Sequence, residues 1–183
     1  MTKIGIFVGS LRKNSFSQQI ANNVADLFPE GYTTEFIQID YLPFYNEDYD
    51  NEGNVPEAYT TFRNKMKEVD AALFITPEYN RTIPAVLKNA LDVGSRPVGD
   101  SVWNGKPAAI ISHSPSNLSG FGANHHLRQP LVFLNMPVLQ QPEIYLANVA
   151  ELLDDNGKIS RPDTVDFLQS AMNEFVELIR RFK

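Results

Sequence analysis

The chain of 183 residues is 43% hydrophobic and 21% charged, the balance of an ordinary water-soluble globular protein with room for one core and one domain spanning 1–183. It contains no cysteine, which excludes disulfides, thiolate nucleophiles, iron–sulfur clusters and thiol-ligated zinc, so any redox chemistry has to come from a cofactor. The net charge of −6 offers no basic face to nucleic acid or anionic lipid, no apolar run is long enough to cross a bilayer, and the N-terminus enters a strand with no leader-like segment. The expected setting is the cytoplasm, with neither nucleic-acid nor membrane partners.

In chain order, Lys3–Val8 is a short, continuously apolar run of the kind found in a strand buried on both faces. A helix is expected from about Ser15, where Ser15-Phe16-Ser17-Gln18 has the pattern of a capping box and Ile20, Val24, Leu27 and Phe28 follow at helical spacing. Further strands are expected at Thr34–Ile39, Ala71–Thr76, Pro107–Ser112 and Pro137–Gln140. Helices are expected behind Pro56, with the stripe Tyr59, Phe62, Met66 and Val69, and between Pro84 and Gly94, with Val86, Leu87, Ala90 and Leu91. A weaker helix, interrupted by Pro130, is expected over His125–Phe133. The clearest begins near Pro162 and lines up Val165, Leu168, Met172, Phe175, Val176 and Ile179, ending in Arg180 and Arg181 at its negative pole. Such alternation predicts a doubly wound parallel sheet of five strands with helices on both faces. The segment 46–57 holds five carboxylates and no cation, and reads as a solvated surface loop or flap.

In a doubly wound sheet ligands gather beyond the carboxyl ends of the strands, and three loops of this chain fall there. The first, Gly9-Ser10-Leu11-Arg12-Lys13-Asn14-Ser15, joins a buried strand to a helix N-terminus. Free N–H groups, the hydroxyls of Ser10, Ser15 and Ser17, and the Arg12 guanidinium together suit an anion. By itself the loop does not separate nucleotide, flavin and sulfate, and a plain connection with an ordinary cap would look alike. The second, Pro77-Glu78-Tyr79-Asn80, is a turn by composition and offers Tyr79 as a face for a flat heterocycle, or else a ring for the core. The third, from Ser112 to Gly122, is small and polar, so its backbone can approach a ligand closely.

Gly9-Ser10-x-Arg12-x-x-Ser15, Thr76-Pro77-Glu78-Tyr79-Asn80, Leu87-Lys88-Asn89-Ala90-Leu91-Asp92 with Ser95-Arg96-Pro97, and Ser114-Pro115 together resemble the NAD(P)H-dependent FMN reductase family of quinone, azo-dye and chromate reductases. The similarity runs from Lys3 to about Leu139. It implies a single flavodoxin-like FMN-binding domain with strand order 2-1-3-4-5 and an enzyme that passes electrons from NADPH or NADH through bound FMN to a small-molecule acceptor: a quinone, an azo compound, a metal oxyanion or free flavin. It also implies that Ser10, Arg12, Asn14, Ser15, Phe16 and Ser17 hold the FMN phosphate, that Pro77, Glu78, Tyr79 and Asn80 line the ring system, that Ser114 closes the far side, and that the protein is a homodimer or homotetramer. The chain departs from the family pattern at Ser119-Gly120, where a Gly-Gly pair is common, and at Val93, where a tryptophan is common.

Such a flavin enzyme needs no side-chain acid or base, because the cofactor carries the hydride and the protein positions it. No catalytic residue is therefore named. Glu78 is expected to act through its main chain, since a carboxylate beside an anionic flavin would be repelled. Of the three histidines, His113, His125 and His126, the adjacent pair would diverge by about 100° on a helix, and no metal site is expected. The alternative readings are an electron-transfer flavodoxin without nicotinamide activity and a dinucleotide-binding dehydrogenase. Against the latter, the first turn lacks G-x-G-x-x-G and Asp40 lies 31 residues beyond Gly9, where about 20 is usual.

Overall fold

In the computed structural model, which describes residues 1–183, the strands β1 (Thr2–Val8), β2 (Tyr32–Phe36), β3 (Ala71–Pro77), β4 (Ala108–His113) and β5 (Ile144–Leu146) form one parallel sheet in the order β2-β1-β3-β4-β5. The helices are α1 (Phe16–Ala25), α2 (Asp48–Asn51), α3 (Glu57–Lys67), α4 (Ala85–Gly94), α5 (Phe121–Phe133), α6 (Val149–Leu152) and α7 (Pro162–Arg181). No helix is long and apolar enough to cross a membrane.

Successive strand residues point to opposite faces, so a run buried on both sides feeds two cores. Ile4, Ile6, Leu73, Ile75 and Ile111 pack with Ile20 and Val24 of α1 and with Leu168, Met172 and Phe175 of α7. Phe7, Phe74 and Ile110 face the other way, against Phe62 and Met66 of α3, Leu87 of α4, Leu127 of α5 and the fully buried Trp103. Phe7 stacks on Phe74 at 4.9 Å, and Trp103 anchors by donating from Nε1 to the carbonyl of Leu91 at 3.0 Å. The expected architecture is therefore present, with three corrections to its elements.

The fifth strand is not Pro137–Gln140. Only Val138 bridges to Ala108, and the ladder resumes at Ile144–Leu146 after Pro142. Two prolines that cannot donate to a ladder flank this stretch, and the pairing is split around them. The second strand runs over Tyr32–Phe36 and stops short of Ile39. Ile37 and Ile39 stay buried, but in the layer beneath α3 and α4, beyond the last pair of the ladder. Finally, α5 starts four residues before His125, at Phe121, because Gly120 at φ 75° turns the chain into it.

The acidic segment is held down by buried groups on α3 and α4. Arg63 grips Asp50 with two parallel hydrogen bonds of 2.7 and 2.8 Å, donates from Nε to the carbonyl of Val93 at 2.9 Å and lies over the Tyr59 ring. Both charged side chains are about nine-tenths buried. Asn89 donates to the carbonyls of Leu42 and Pro43 and accepts from the amide of Tyr45, while Tyr59 donates to the carbonyl of Phe44. The expectation of a solvated loop thus fails at Asp50. Removing one partner of such a pair leaves the other charge buried and alone. Asp50→Ala should lower unfolding stability by about 3 kcal/mol in urea titration, and a loss below about 1 kcal/mol would show the pair to be solvent-screened like a surface bridge.

Candidate functional site

Gly9 brings the end of β1 against β3. Its amide donates to the carbonyl of Ile75 at 2.8 Å, and a Cβ there would lie 3.2 Å from that oxygen and 3.3 Å from Pro77 Cδ. Beyond it the chain turns through Asn14, at φ 52°, into Ser15, the N-cap of α1. The Ser15 hydroxyl accepts from the Gln18 amide at 3.1 Å, whereas the Gln18 side chain reaches forward to Asn22, so only half of the expected capping box forms. The amides of Phe16 and Ser17 are left without helical acceptors, and the first turn holds no acidic residue to occupy the positive pole.

The second loop is a tight hairpin. Tyr79 and Thr82 exchange backbone hydrogen bonds of 2.9 and 3.0 Å, and Asn80 and Arg81 between them both have positive φ, as a type I′ turn demands. This leaves Tyr79 49% exposed, outside the core. Glu78 is turned the other way: one carboxylate oxygen accepts from the Ala123 amide in the first turn of α5 at 3.1 Å, and the other from Arg81 at 2.8 Å. Both of its carboxylate oxygens are thus engaged within the protein. Gly122 permits this docking, since a Cβ there would lie 2.8 Å from the carbonyl oxygen of Arg81.

In the third loop the Ser114 hydroxyl is occupied by Ser116, accepting from its amide at 3.1 Å and lying 3.0 Å from its carbonyl and hydroxyl oxygens. Ser119 and Gly120 both take positive φ, and a Cβ on Gly120 would lie 3.0 Å from the backbone of His113.

The three loops meet around a cleft of about 310 Å³. Ser10, Arg12, Ser15, Phe16 and Ser17 form one wall, Pro77, Glu78 and Tyr79 a second, and Ser114 with His113 and Pro115 the third. Asn14 and Asn80 stand outside it: each shapes its turn through positive φ, and the Asn14 carbonyl accepts from Gln19. Arg12 lies over the ring of Phe16 at the mouth of the cleft. A neighbouring groove of about 370 Å³ on the β2 side is lined by Arg12, Lys13, Asn14 and Asp40 and lacks the two open helix amides.

His113, which the sequence places in the third rim loop without a role in binding, closes β4. It is only 3% exposed, with Nε2 2.7 Å from Ser17 Oγ. Burial pushes its pKa down to about 4, so the ring is neutral at pH 7. Nothing in the sequence pairs positions 17 and 113; the sheet order alone does so.

The chain belongs to the NADPH-dependent FMN reductase family, whose model matches residues 2–151, and its chemistry is that of an FMN-using NAD(P)H oxidoreductase. It is 46% identical over 177 residues to a quinone reductase of Pseudomonas putida, covering 97% of this chain and 94% of that one. It is 42% identical over 178 residues to a 2-hydroxy-1,4-benzoquinone reductase of a Burkholderia species, covering 97% and 96%. Among solved structures, FerB, a flavoenzyme NAD(P)H:(acceptor) oxidoreductase from Paracoccus denitrificans, superposes with a TM-score of 0.91 at 32% identity over 100% of this chain and 99% of its own.

The depressed pKa of His113 has a definite sign. Between about pH 6.5 and about pH 4 the unfolded chain binds a proton that the folded chain refuses, so this residue's share of stability is lost as pH falls through that window. Relative to wild type, His113→Gln should lose about 2 kcal/mol less between pH 7 and pH 4.5 in urea unfolding. Parallel pH curves for the two proteins would contradict the buried neutral ring.

Proposed function

We propose that the cleft is the FMN site and that the enzyme reduces small quinones. In this reading the phosphate sits at the N-terminus of α1, within reach of the Phe16 and Ser17 amides, the hydroxyls of Ser10, Ser15 and Ser17, and Arg12. The ring system lies along Pro77, Glu78 and Tyr79, with Ser114 on the far side. The observation that carries it is the open, acid-free N-terminus of α1 facing a half-exposed Tyr79 across a cleft at the carboxyl edge of the sheet. A dianion and an aromatic plane are the two ends of one ligand that would satisfy both.

Bound FMN would supply the hydride-transfer chemistry between nicotinamide and acceptor. The chain's own residues bind and orient. Arg12 would balance phosphate charge, and its place over the ring of Phe16, the first residue of α1, holds the guanidinium near the helix pole. Tyr79 presents a face for stacking, while Glu78 keeps its charge engaged at α5 and presents backbone alone. The quinone class is supported by the Pseudomonas and Burkholderia relatives. We also read the protein as one FMN-binding domain over 1–183, acting in the cytoplasm as a homodimer or homotetramer. The exposed Val98, Val132 and Phe133 are surface that a second copy would cover.

Anaerobic mixing of the FMN-loaded protein with NADPH, and separately NADH, should bleach the flavin absorbance with at least one donor, and benzoquinone should restore it. Absence of bleaching with both would overturn the reading. Arg12→Ala should weaken FMN binding by about 1.5 to 3 kcal/mol in fluorescence titration of the apoprotein, the scale of a hydrogen bond to a charged group, and unchanged affinity would remove Arg12 from the site.

A further inference from the structure

Among the polar atoms of the cleft walls, His113 Nδ1 stands out. It is buried and has no partner, while the opposite ring nitrogen makes a short contact of 2.7 Å with Ser17 Oγ. His113 sits at the carboxyl end of β4 and Ser17 in the first turn of α1, so their hydrogen bond ties the first rim loop to the third beneath the cleft. A neutral imidazole carries one N–H, and the two placements of that proton have opposite consequences for Ser17.

With the proton on Nδ1, Ser17 would donate to Nε2 and its hydrogen would be tied up inside the protein. An N–H would also be buried without a partner, which is the rarer and costlier kind of unsatisfied group. With the proton on Nε2, the ring donates to Ser17 Oγ, leaving only a bare lone pair on Nδ1. The serine hydrogen, which has no other acceptor within the chain, is then uncommitted on a fully buried residue of the cleft wall. An anion at the α1 N-terminus accepts that hydrogen and so favours this second arrangement, since a ligand shifts an equilibrium by its differential affinity for the two states.

We propose that His113 is a positioning residue for phosphate recognition, donating from Nε2 to Ser17 Oγ so that the Ser17 hydroxyl hydrogen is aimed at a phosphate on the N-terminus of α1. The proposal rests on the reading of the cleft as the FMN site. The buried neutral ring does not touch the ligand. It orients one of its donors, and His113 is needed only for ligands that carry the phosphate.

The test compares FMN with riboflavin, which has the same ring system without the phosphate, by fluorescence titration of apoproteins. Wild type should prefer FMN. Ser17→Ala and His113→Leu should each reduce that preference by at least about tenfold, the loss of one hydrogen bond to a charged group, with riboflavin affinity held within about threefold. The double variant should be no worse than Ser17→Ala, because both changes remove one interaction. His113→Gln, which keeps an N–H donor at that reach, should recover most of the preference. Nitrogen NMR of the wild-type FMN complex should find the His113 ring neutral and protonated at Nε2. If His113→Leu does not fold, the Ser17→Ala titration and the ring tautomer decide the matter. A ring protonated at Nδ1, or undiminished preference in Ser17→Ala, would overturn the proposal while the cofactor site stands. A wild-type protein that does not prefer FMN to riboflavin would overturn both.

Discussion

The site depends on where the strand order reverses. The chain leaves β1 in one direction to form β2 and returns to the other side of β1 to form β3, so α1 covers one face of the sheet and α3 the opposite face. The connections part at the carboxyl end of β1, and a crevice opens there by topology. It holds the N-terminus of α1, and the loops after β3 and β4 arrive because those strands come next in the sheet. Gly9 makes this approach close, with no side chain to separate β1 from Ile75 and Pro77.

Charge in the cleft is arranged by engaging the groups that would oppose an anion. The protein carries a net charge of −6, yet the only carboxylate in the walls, Glu78, is turned to the N-terminus of α5 and to Arg81. The first turn of α1 has no acid, and His113 is neutral in its buried position. What faces the open space is a set of backbone amides and hydroxyls with one guanidinium. Such a donor set suits an anion without a strongly basic surface.

The fold was legible where periodicity and punctuation agree. Continuous apolar runs marked β1, β3 and β4, and Pro56, Pro84 and Pro162 marked the starts of α3, α4 and α7. It was not legible where a run of Val138 and Leu139 could not pair onward past Pro142, nor at the edge strand β2, where Ile37 and Ile39 serve the core without extending the ladder. Of the eleven residues named by resemblance, nine line one cleft, because each shares a rim loop with its motif. Asn14 and Asn80 lie outside that cleft and take positive φ, a backbone conformation that asparagine tolerates. Two further features were invisible because they join distant positions. One is the pairing of His113 with Ser17, 96 residues apart. The other is Asp50, which composition placed among solvated acids and the fold places in the grip of Arg63.

The most direct measurement is a crystal structure of the FMN complex. The account predicts phosphate oxygens within hydrogen-bond distance, about 3 Å, of the Phe16 and Ser17 amides and of Arg12, with the ring system along Pro77–Tyr79. A phosphate seated instead in the neighbouring groove between Lys13 and Asp40, with the α1 amides facing water, would contradict it.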